Sequence, residues 1–254
     1  MSGLKLSPSS VRPVVGLLRS VFLAAVRDRV IGVNPAGGVK LPELPRKRVQ
    51  PLTVDQVQAL ADEIPPEYRA LVVVGAGAGL RPGELLGLQF GDIDFLRKLV
   101  KVQRQVQQTA GHGIYGGPLK TRQSYRTVPV GEVVITALSE HVRQWPTEGH
   151  LFTNRSGGLL GYRWFGKAIW RPAVAAAGLA TDTGMHALRH FFASALIRSG
   201  LSVRVVSERL GRASAAVTLG VYSHLWPDDE QQSRDAIDQL FSPSAPPVRP
   251  GIEA

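Results

Sequence analysis

The spacing of apolar residues changes twice along this 254-residue chain, and this pattern limits the fold to helices around a small amount of β-structure. Residues 10–31 and 53–78 have helical periodicity. Over 93–130 apolar and polar residues alternate as in strands, and a glycine-rich stretch at 111–117 interrupts them. From residue 131 onward the pattern is helical again, with segments at about 131–144, 161–177, 186–199, 202–210, 214–224 and 227–241. We therefore predict a mainly α-helical α+β fold with a small β-sheet or hairpin.

Two boundaries divide the chain. Asn34-Pro35 ends the first helical segment, and the proline-rich stretch that follows carries the basic run Arg46-Lys47-Arg48. Thr53 then begins a new helix, with Gln56 placed to complete a capping box. We predict a helical segment at 1–40, a basic linker at 41–52, a main domain at 53–241 and a disordered tail at 242–254.

The charge balance favours a polyanionic partner. The net charge is +10 and the isoelectric point is about 10.4. Residues 1–226 carry the excess of lysine and arginine, whereas residues 227–254 have six acids and two bases. A basic body of this kind favours nucleic acid, although basic surfaces also serve solubility alone.

The composition also excludes several classes of protein. The chain has no cysteine, which rules out disulfides and cysteine-ligated zinc. The longest apolar run, at 70–80, is shorter than the roughly 20 residues of a membrane span, and the N-terminus lacks an apolar signal-peptide core. We expect a cytoplasmic, nucleoid-associated protein without a membrane partner.

Four segments carry side chains suited to cutting a phosphodiester. They read GLRPGELLGL at 79–88, PLKTRQSYRTVPV at 118–130, HALRHFFASALIRSG at 186–200 and LGRASAAVTLGVYSHL at 210–225. Arginine binds phosphate with two parallel hydrogen bonds, and a tyrosine hydroxyl is an oxygen nucleophile. On a helix, His186, Arg189 and His190 share one face. These side chains supply phosphate-binding cations, a proton donor, a proton acceptor and a nucleophile without a metal.

The order and flanking residues of these segments resemble the tyrosine recombinases, also called the phage integrase family. The resemblance implies that Arg81 and Arg189 clamp the scissile phosphate and that Tyr222 attacks it. It implies that Lys120, on a hairpin tip, protonates the leaving 5′ oxygen, and that His186 accepts a proton and donates to the phosphate.

Three further residues of these segments bear on the site: two are expected to support it, and one differs from the residue type that the family has at its position. Glu84 matches an acid that orients the cations, and His190 is expected to support the site structurally. Arg212 departs from the family, which has histidine or tryptophan after the Leu-Gly pair. An arginine can also donate to phosphate, although it cannot accept a proton.

The resemblance also implies a reaction and its partners. We expect a site-specific recombinase of a prophage or mobile element that acts on double-stranded DNA through a 3′-phosphotyrosyl intermediate, with no metal or other cofactor. It would form a homotetramer on DNA and a monomer in solution, with an excisionase or a host DNA-bending protein as further partners. The helix at 227–241 would dock on a neighbouring subunit.

The N-terminal region and several cations are expected to bind DNA outside the catalytic residues. Residues 1–40 resemble only the final helices of the family's SAM-like core-binding domain, so the grip on DNA would be partial. Further DNA contacts are expected from five cations: Arg46, Lys47, Arg48, Arg122 and Arg126.

Two alternative functions remain beside the site-specific recombinase. The first is a catalytically impaired DNA-binding remnant, and the second, less favoured, is a relaxing enzyme similar to type IB topoisomerases.

Overall fold

The structure is a computed structural model that describes residues 7–43, 49–109, 111–212 and 214–226, together with 234, 237 and 238. The chain forms two compact units, Met1–Arg48 and Val49–Ala254. Their boundary falls inside the segment predicted as a basic linker. The tail at 242–254, and all but three residues of the predicted helix at 227–241, lie outside the described residues.

The first unit consists of one helix and a segment that folds back along it. Helix α1, Pro8–Arg27, begins after Ser7, whose hydroxyl accepts a hydrogen bond from Ser10 N. Arg19 Nε donates to Ala36 O at 2.9 Å, and Asn34 Nδ2 donates to Arg19 O at 3.1 Å. These bonds satisfy the polar groups of the segment after the helix and fix its return path.

Helix α1 is unusually apolar for a helix whose side chains are exposed. All of its residues are described and none is buried. Its exposed apolar side chains are Val14, Leu17, Leu18, Val21 and Leu23. By length and composition alone this 20-residue helix could cross a membrane, which the longest uninterrupted apolar run, at 70–80, did not indicate. Core helices of soluble proteins and signal sequences share this property.

The second unit is built around a buried apolar helix. Helix α3, Arg69–Ala78, packs against α2 (Val54–Glu63), α5 (Glu132–Gln144) and α8 (His186–Arg198). A Cβ atom on Gly75 of α3 would lie 2.6 Å from the Leu188 side chain, so glycine is what lets α8 approach this closely. The close approach brings the start of α8 near the end of α3, where the arginine-bearing turn lies.

The starts of two helices follow the sequence prediction. Thr53 and Gln56 form the predicted capping box, with Gln56 N donating to Thr53 Oγ1 at 3.2 Å and Thr53 N donating to Gln56 Oε1 at 3.0 Å. Helix α4, Pro82–Leu86, has its proline in the first turn, where a missing N–H costs nothing.

The described part of the chain has five strands in two antiparallel sheets. Strands β1 (Ile93–Asp94), β2 (Leu99–Val102) and β5 (Arg126–Pro129) form one sheet in the order β1-β2-β5, with Val100 opposite Val128. Strands β3 (Gln105–Thr109) and β4 (Gly113–Gly117) form a hairpin, with Val106 opposite Gly116. The glycine-rich stretch therefore contains a strand, where we expected only an interruption.

The remaining helices lie close to their predicted positions. They are α6 (Tyr162–Phe165), a π-helical turn (Gly166–Trp170), α7 (Arg171–Ala176), α9 (Val203–Leu210) and α10 (Ala215–Tyr222), which a 3₁₀ turn follows at Ser223–Leu225. The mainly α-helical α+β fold is confirmed.

The glycine that ends α3 gives a testable prediction. Gly79 has φ +62°, and a Cβ atom there would lie 2.2 Å from the Phe192 ring. Gly79→Ala should destabilise the fold by roughly 2–5 kcal/mol, from the left-handed backbone and the overpacking together. Gly178 is the matched control, because it has φ +67° and open space around it, so Gly178→Ala should cost only about 1–2 kcal/mol. Urea denaturation measures both free energies of unfolding, and equal values would show that the contact with Phe192 does not matter.

Candidate active site

Arg81 lies at the turn between α3 and α4 and is held by both its backbone and its side chain. Its N–H donates to Glu84 Oε2 at 2.9 Å, and Nη1 donates to Glu84 Oε1 at 2.7 Å. Nη1 also lies 3.3 Å from Ser124 Oγ, and Nη2 donates to Gly211 O at 2.9 Å. The side chain is still 34% exposed, so a fixed guanidinium keeps an open side.

Arg189, on α8, is almost fully enclosed. It is 3% exposed, and its guanidinium donates to Gly79 O at 2.7 Å and to Leu210 O at 2.5 Å. Burial, followed by the charges of Arg81 and Arg126, lowers the pKa of Arg189 to about 9. The side chain thus remains charged at neutral pH and joins the ends of α3 and α9 to α8.

Glu84 balances part of this positive charge. The carboxylate is buried, and Arg126 Nη2 donates to its Oε2 at 2.9 Å while Arg81 holds the other oxygen. Burial alone raises the pKa of the Glu84 carboxyl, but Arg126 and Arg81 more than offset this, so the net pKa is below the ordinary value. Glu84 is therefore a carboxylate that orients two guanidinium groups.

Arg126, predicted to contact DNA, is largely buried and bonded to other parts of the protein. Its side chain is 6% exposed, and besides the bond to Glu84 it donates to Arg209 O at 2.8 Å and to Ser124 O at 2.9 Å. The strand register contained the signal for this, because Arg126 shares a face of β5 with the buried Val128. Arg126 connects the sheet, α4 and the end of α9.

Tyr222, the last residue of α10, is enclosed and its hydroxyl is engaged. The residue is 0% exposed, and its Oη lies 2.7 Å from His190 Nδ1. The two rings meet edge to face, with centroids 5.5 Å apart. Burial raises the pKa of the Tyr222 hydroxyl, and the charges of Arg212 and Arg189 act against this rise.

Arg212 packs against the same tyrosine. Its guanidinium carbon lies 5.2 Å from the centre of the Tyr222 ring, and Nη1 donates to Val217 O at 2.9 Å. A cation at this position is attracted to the face of the ring. The family-divergent arginine therefore lies beside the predicted nucleophile.

The two other predicted catalytic residues are more open. His186 begins α8 and is exposed, yet its pKa is lowered, first by loss of water around the ring and then by the charges of Arg189 and Arg81. Lys120 is exposed in the loop after β4. This corrects the expectation of a hairpin tip, because the turn of the β3–β4 hairpin contains Gly111 and His112 instead.

Of the other cations predicted to contact DNA, one lies among the described residues. Arg122 is exposed and begins the 3₁₀ turn Arg122–Ser124. Arg46, Lys47 and Arg48 lie outside the described residues.

Sequence reasoning missed some of the side chains that hold the site together. Ser124 is buried beside Arg81 and hydrogen-bonded to Thr121 Oγ1 at 2.9 Å, and its position between Lys120 and Arg126 carried no distinct signal. His190 was expected to be structural, whereas it contacts the predicted nucleophile directly.

The sequence of this chain is similar to those of known tyrosine recombinases. The sequence model of the phage integrase family matches residues 50–228 of this chain. Tyrosine recombinase XerC of Xanthomonas axonopodis pv. citri is 32% identical over 228 residues, which cover 87% of this chain and 68% of the relative. A XerC-like tyrosine recombinase of Caldanaerobacter subterraneus subsp. tengcongensis is 26% identical, over 92% of this chain and 67% of the relative. The chain thus spans about two thirds of the length of these relatives.

Solved structures show the same fold. The Tn1549 transposon integrase in complex with transposon right end DNA aligns with a TM-score of 0.79, at 22% identity, over 94% of this chain and 81% of that one. The catalytic domain of bacteriophage HP1 integrase aligns with a TM-score of 0.54, at 20% identity, over 78% of this chain and all of that one.

The buried Glu84–Arg126 pair gives a second prediction. Arg126→Met removes one partner and should destabilise the fold by about 3 kcal/mol, at the lower end for buried pairs because Arg81 still contacts Glu84. Arg122→Met, four residues earlier on an exposed side chain, should change stability by less than about 0.5 kcal/mol. Urea denaturation of both variants provides the measurement. Equal effects would mean that the ion pair contributes nothing to stability.

Proposed function

The chain belongs to the phage integrase family, and on this premise we propose that it is a site-specific DNA recombinase. It would cut and rejoin DNA strands through a 3′-phosphotyrosyl intermediate on Tyr222. The XerC relatives are tyrosine recombinases, and the Tn1549 integrase structure is a complex with DNA. Both support double-stranded DNA as the substrate.

One observation carries this proposal. Arg189 and Arg81 donate hydrogen bonds to the carbonyl oxygens of the consecutive residues Leu210 and Gly211, and the next residue, Arg212, lies over the Tyr222 ring. Two phosphate-binding cations are thereby fixed relative to an oxygen nucleophile through one short segment. Preorganised donors of this kind supply a large share of catalysis in phosphoryl transfer.

The reaction we propose conserves the energy of the phosphodiester bond. Tyr222 Oη attacks the scissile phosphorus, the bond from phosphorus to the 5′ oxygen breaks, and the phosphate stays attached to the protein. The 5′ oxygen takes a proton from Lys120, which is exposed in the loop after β4. The 5′ hydroxyl of the partner strand then attacks the phosphotyrosine and releases Tyr222.

The cations around Tyr222 have distinct roles in this scheme. Arg81 and Arg189 bind the nonbridging oxygens, whose charge grows in the transition state, and His186 adds a donor beside Arg189. Arg212 adds positive charge next to the attacking phenol and takes the place of the family's usual histidine or tryptophan.

Further partners are part of the proposal. We expect homotetramers on paired DNA sites, because recombination joins two duplexes, and a cytoplasmic, nucleoid-associated location follows from the substrate. An excisionase or host DNA-bending protein would set the direction. The rival function is a DNA-binding remnant with little cleavage activity, which the divergent Arg212 and the enclosed Tyr222 favour.

The nucleophile can be tested by trapping. A pool of short nicked duplexes with randomised arms lets the cut fragment diffuse away, so each cleavage leaves a covalent protein–DNA adduct visible on a denaturing gel. Tyr222→Phe should abolish the adduct and leave DNA binding nearly unchanged, because only one hydroxyl is lost. Tyr125→Phe, on a tyrosine that is 48% exposed, is the control and should retain the adduct. An adduct that persists in Tyr222→Phe would contradict the assignment.

Arg212 distinguishes an active enzyme from a remnant. If it serves the chemistry, Arg212→Ala should slow single-turnover cleavage by about 10²–10³-fold, as loss of an oxyanion donor does, while Arg212→His should retain the rate. A remnant would give little cleavage as the natural chain and clearly more as Arg212→His. Identical rates for all three proteins would remove position 212 from the mechanism.

A further inference from the structure

We propose that His190 accepts the proton of the Tyr222 hydroxyl as that hydroxyl attacks, and that it is therefore a catalytic residue. This inference rests on the proposed recombinase function. It reverses the expected division of roles, in which His186 accepted the proton and His190 only supported the site.

The geometry favours His190 over His186. His190 Nδ1 lies 2.7 Å from Tyr222 Oη, within the distance over which a general base takes a proton directly. The rings also meet edge to face, with their centroids 5.5 Å apart. His186, one turn earlier on α8, is exposed, and the charges of Arg189 and Arg81 act on its ring.

The protonation state of His190 agrees with this role. Burial first, and then the positive environment of His186, Arg212 and Arg189, lowers the pKa of His190 to about 4. These three are the charged groups that act on the His190 ring. At neutral pH the imidazole is uncharged, so a ring nitrogen has a free lone pair, which we assign to Nδ1.

Substrate binding would make this weak base stronger when it is needed. An incoming phosphodiester places negative charge among Arg81, Arg189 and Arg212, which screens the cations that hold the pKa of His190 down. As the bond from Oη to phosphorus forms, the proton passes from Oη to Nδ1, and the electrons of the breaking bond go to the 5′ oxygen. In the reverse step Nδ1 returns the proton to Oη as the 5′ hydroxyl of the partner strand attacks.

Another histidine of the chain shows what a structural contact looks like. His141 is buried in α5, and its Nε2 lies 2.7 Å from Leu151 O, while Trp145 and Phe152 pack against its ring. Its hydrogen-bond partner is a backbone carbonyl, which does not react. The partner of His190 is the group that the proposed reaction uses.

The decisive variant keeps the hydrogen bond and removes the base. In His190→Asn the amide oxygen can accept from Tyr222 but takes up no proton. Adduct formation is followed in single turnover on the nicked duplex pool, with sulfur in place of the bridging 5′ oxygen so that the leaving group needs no proton. We expect His190→Asn to be slower by about 10²–10⁴-fold, whereas His150→Asn, away from the site, is unchanged.

A more acidic phenol separates proton transfer from positioning. Replacing Tyr222 by 3,5-difluorotyrosine should restore most of the rate lost in His190→Asn and change the rate of the His190 protein little. A His190→Asn protein that cleaves as fast as the His190 protein overturns the proposal. A slow variant that difluorotyrosine does not restore also overturns it, because His190 would then only position the tyrosine.

A measurement without DNA keeps this inference separate from the proposed function. Nitrogen-15 NMR of the histidine rings should show His190 with Nδ1 unprotonated, and Tyr222→Phe should shift that resonance. A proton on Nδ1 overturns the inference whether or not the chain cleaves DNA. Failure of the natural chain to form any adduct, with the expected NMR result, would instead refute the recombinase function.

Discussion

The buried carboxylate of Glu84 is the charge on which the arrangement of the site depends. It accepts hydrogen bonds from the backbone and side chain of Arg81 and from the side chain of Arg126. Arg126 in turn holds the last turn of α9 through Arg209 O. One anion therefore fixes three segments that are far apart in the sequence, and without it two guanidinium groups would repel each other in a poorly hydrated space.

The site nevertheless contains more positive than negative charge. Four guanidinium groups lie in the site, those of Arg81, Arg126, Arg189 and Arg212, and the carboxylate of Glu84 acts on three of them: Arg81, Arg126 and Arg189. Burial first, and then this excess of positive charge, lowers the pKa of Arg189, so part of the folding energy is used to hold a charged group among like charges away from water. An anionic substrate relieves the repulsion, so binding energy and fold stability become linked. The excess positive charge therefore lowers the stability of the fold and strengthens the binding of phosphate.

The sequence predicted most of the fold because its signals were local. Capping at Thr53, the helical period of α8 and the proline after Arg81 are properties of a few neighbouring residues. The contacts that the sequence did not predict join distant segments. Arg126 pairs with Glu84 across 42 residues, and His190 meets Tyr222 across 32. Motif order placed Arg81, Arg189 and Tyr222 in one site, but only the packed structure identifies which histidine touches the tyrosine.

The enclosure of Tyr222 has a consequence for the cell that carries this chain. A recombinase must not cut DNA strands at every encounter, and a tyrosine with no exposed surface cannot react with a DNA backbone that contacts the protein briefly. In the proposed mechanism the aromatic contact with Arg212 must loosen and admit the phosphate next to the hydroxyl that His190 holds before a strand is cut. Brief collisions would therefore leave the genome intact, and damage would be confined to sites that hold the protein long enough to open it.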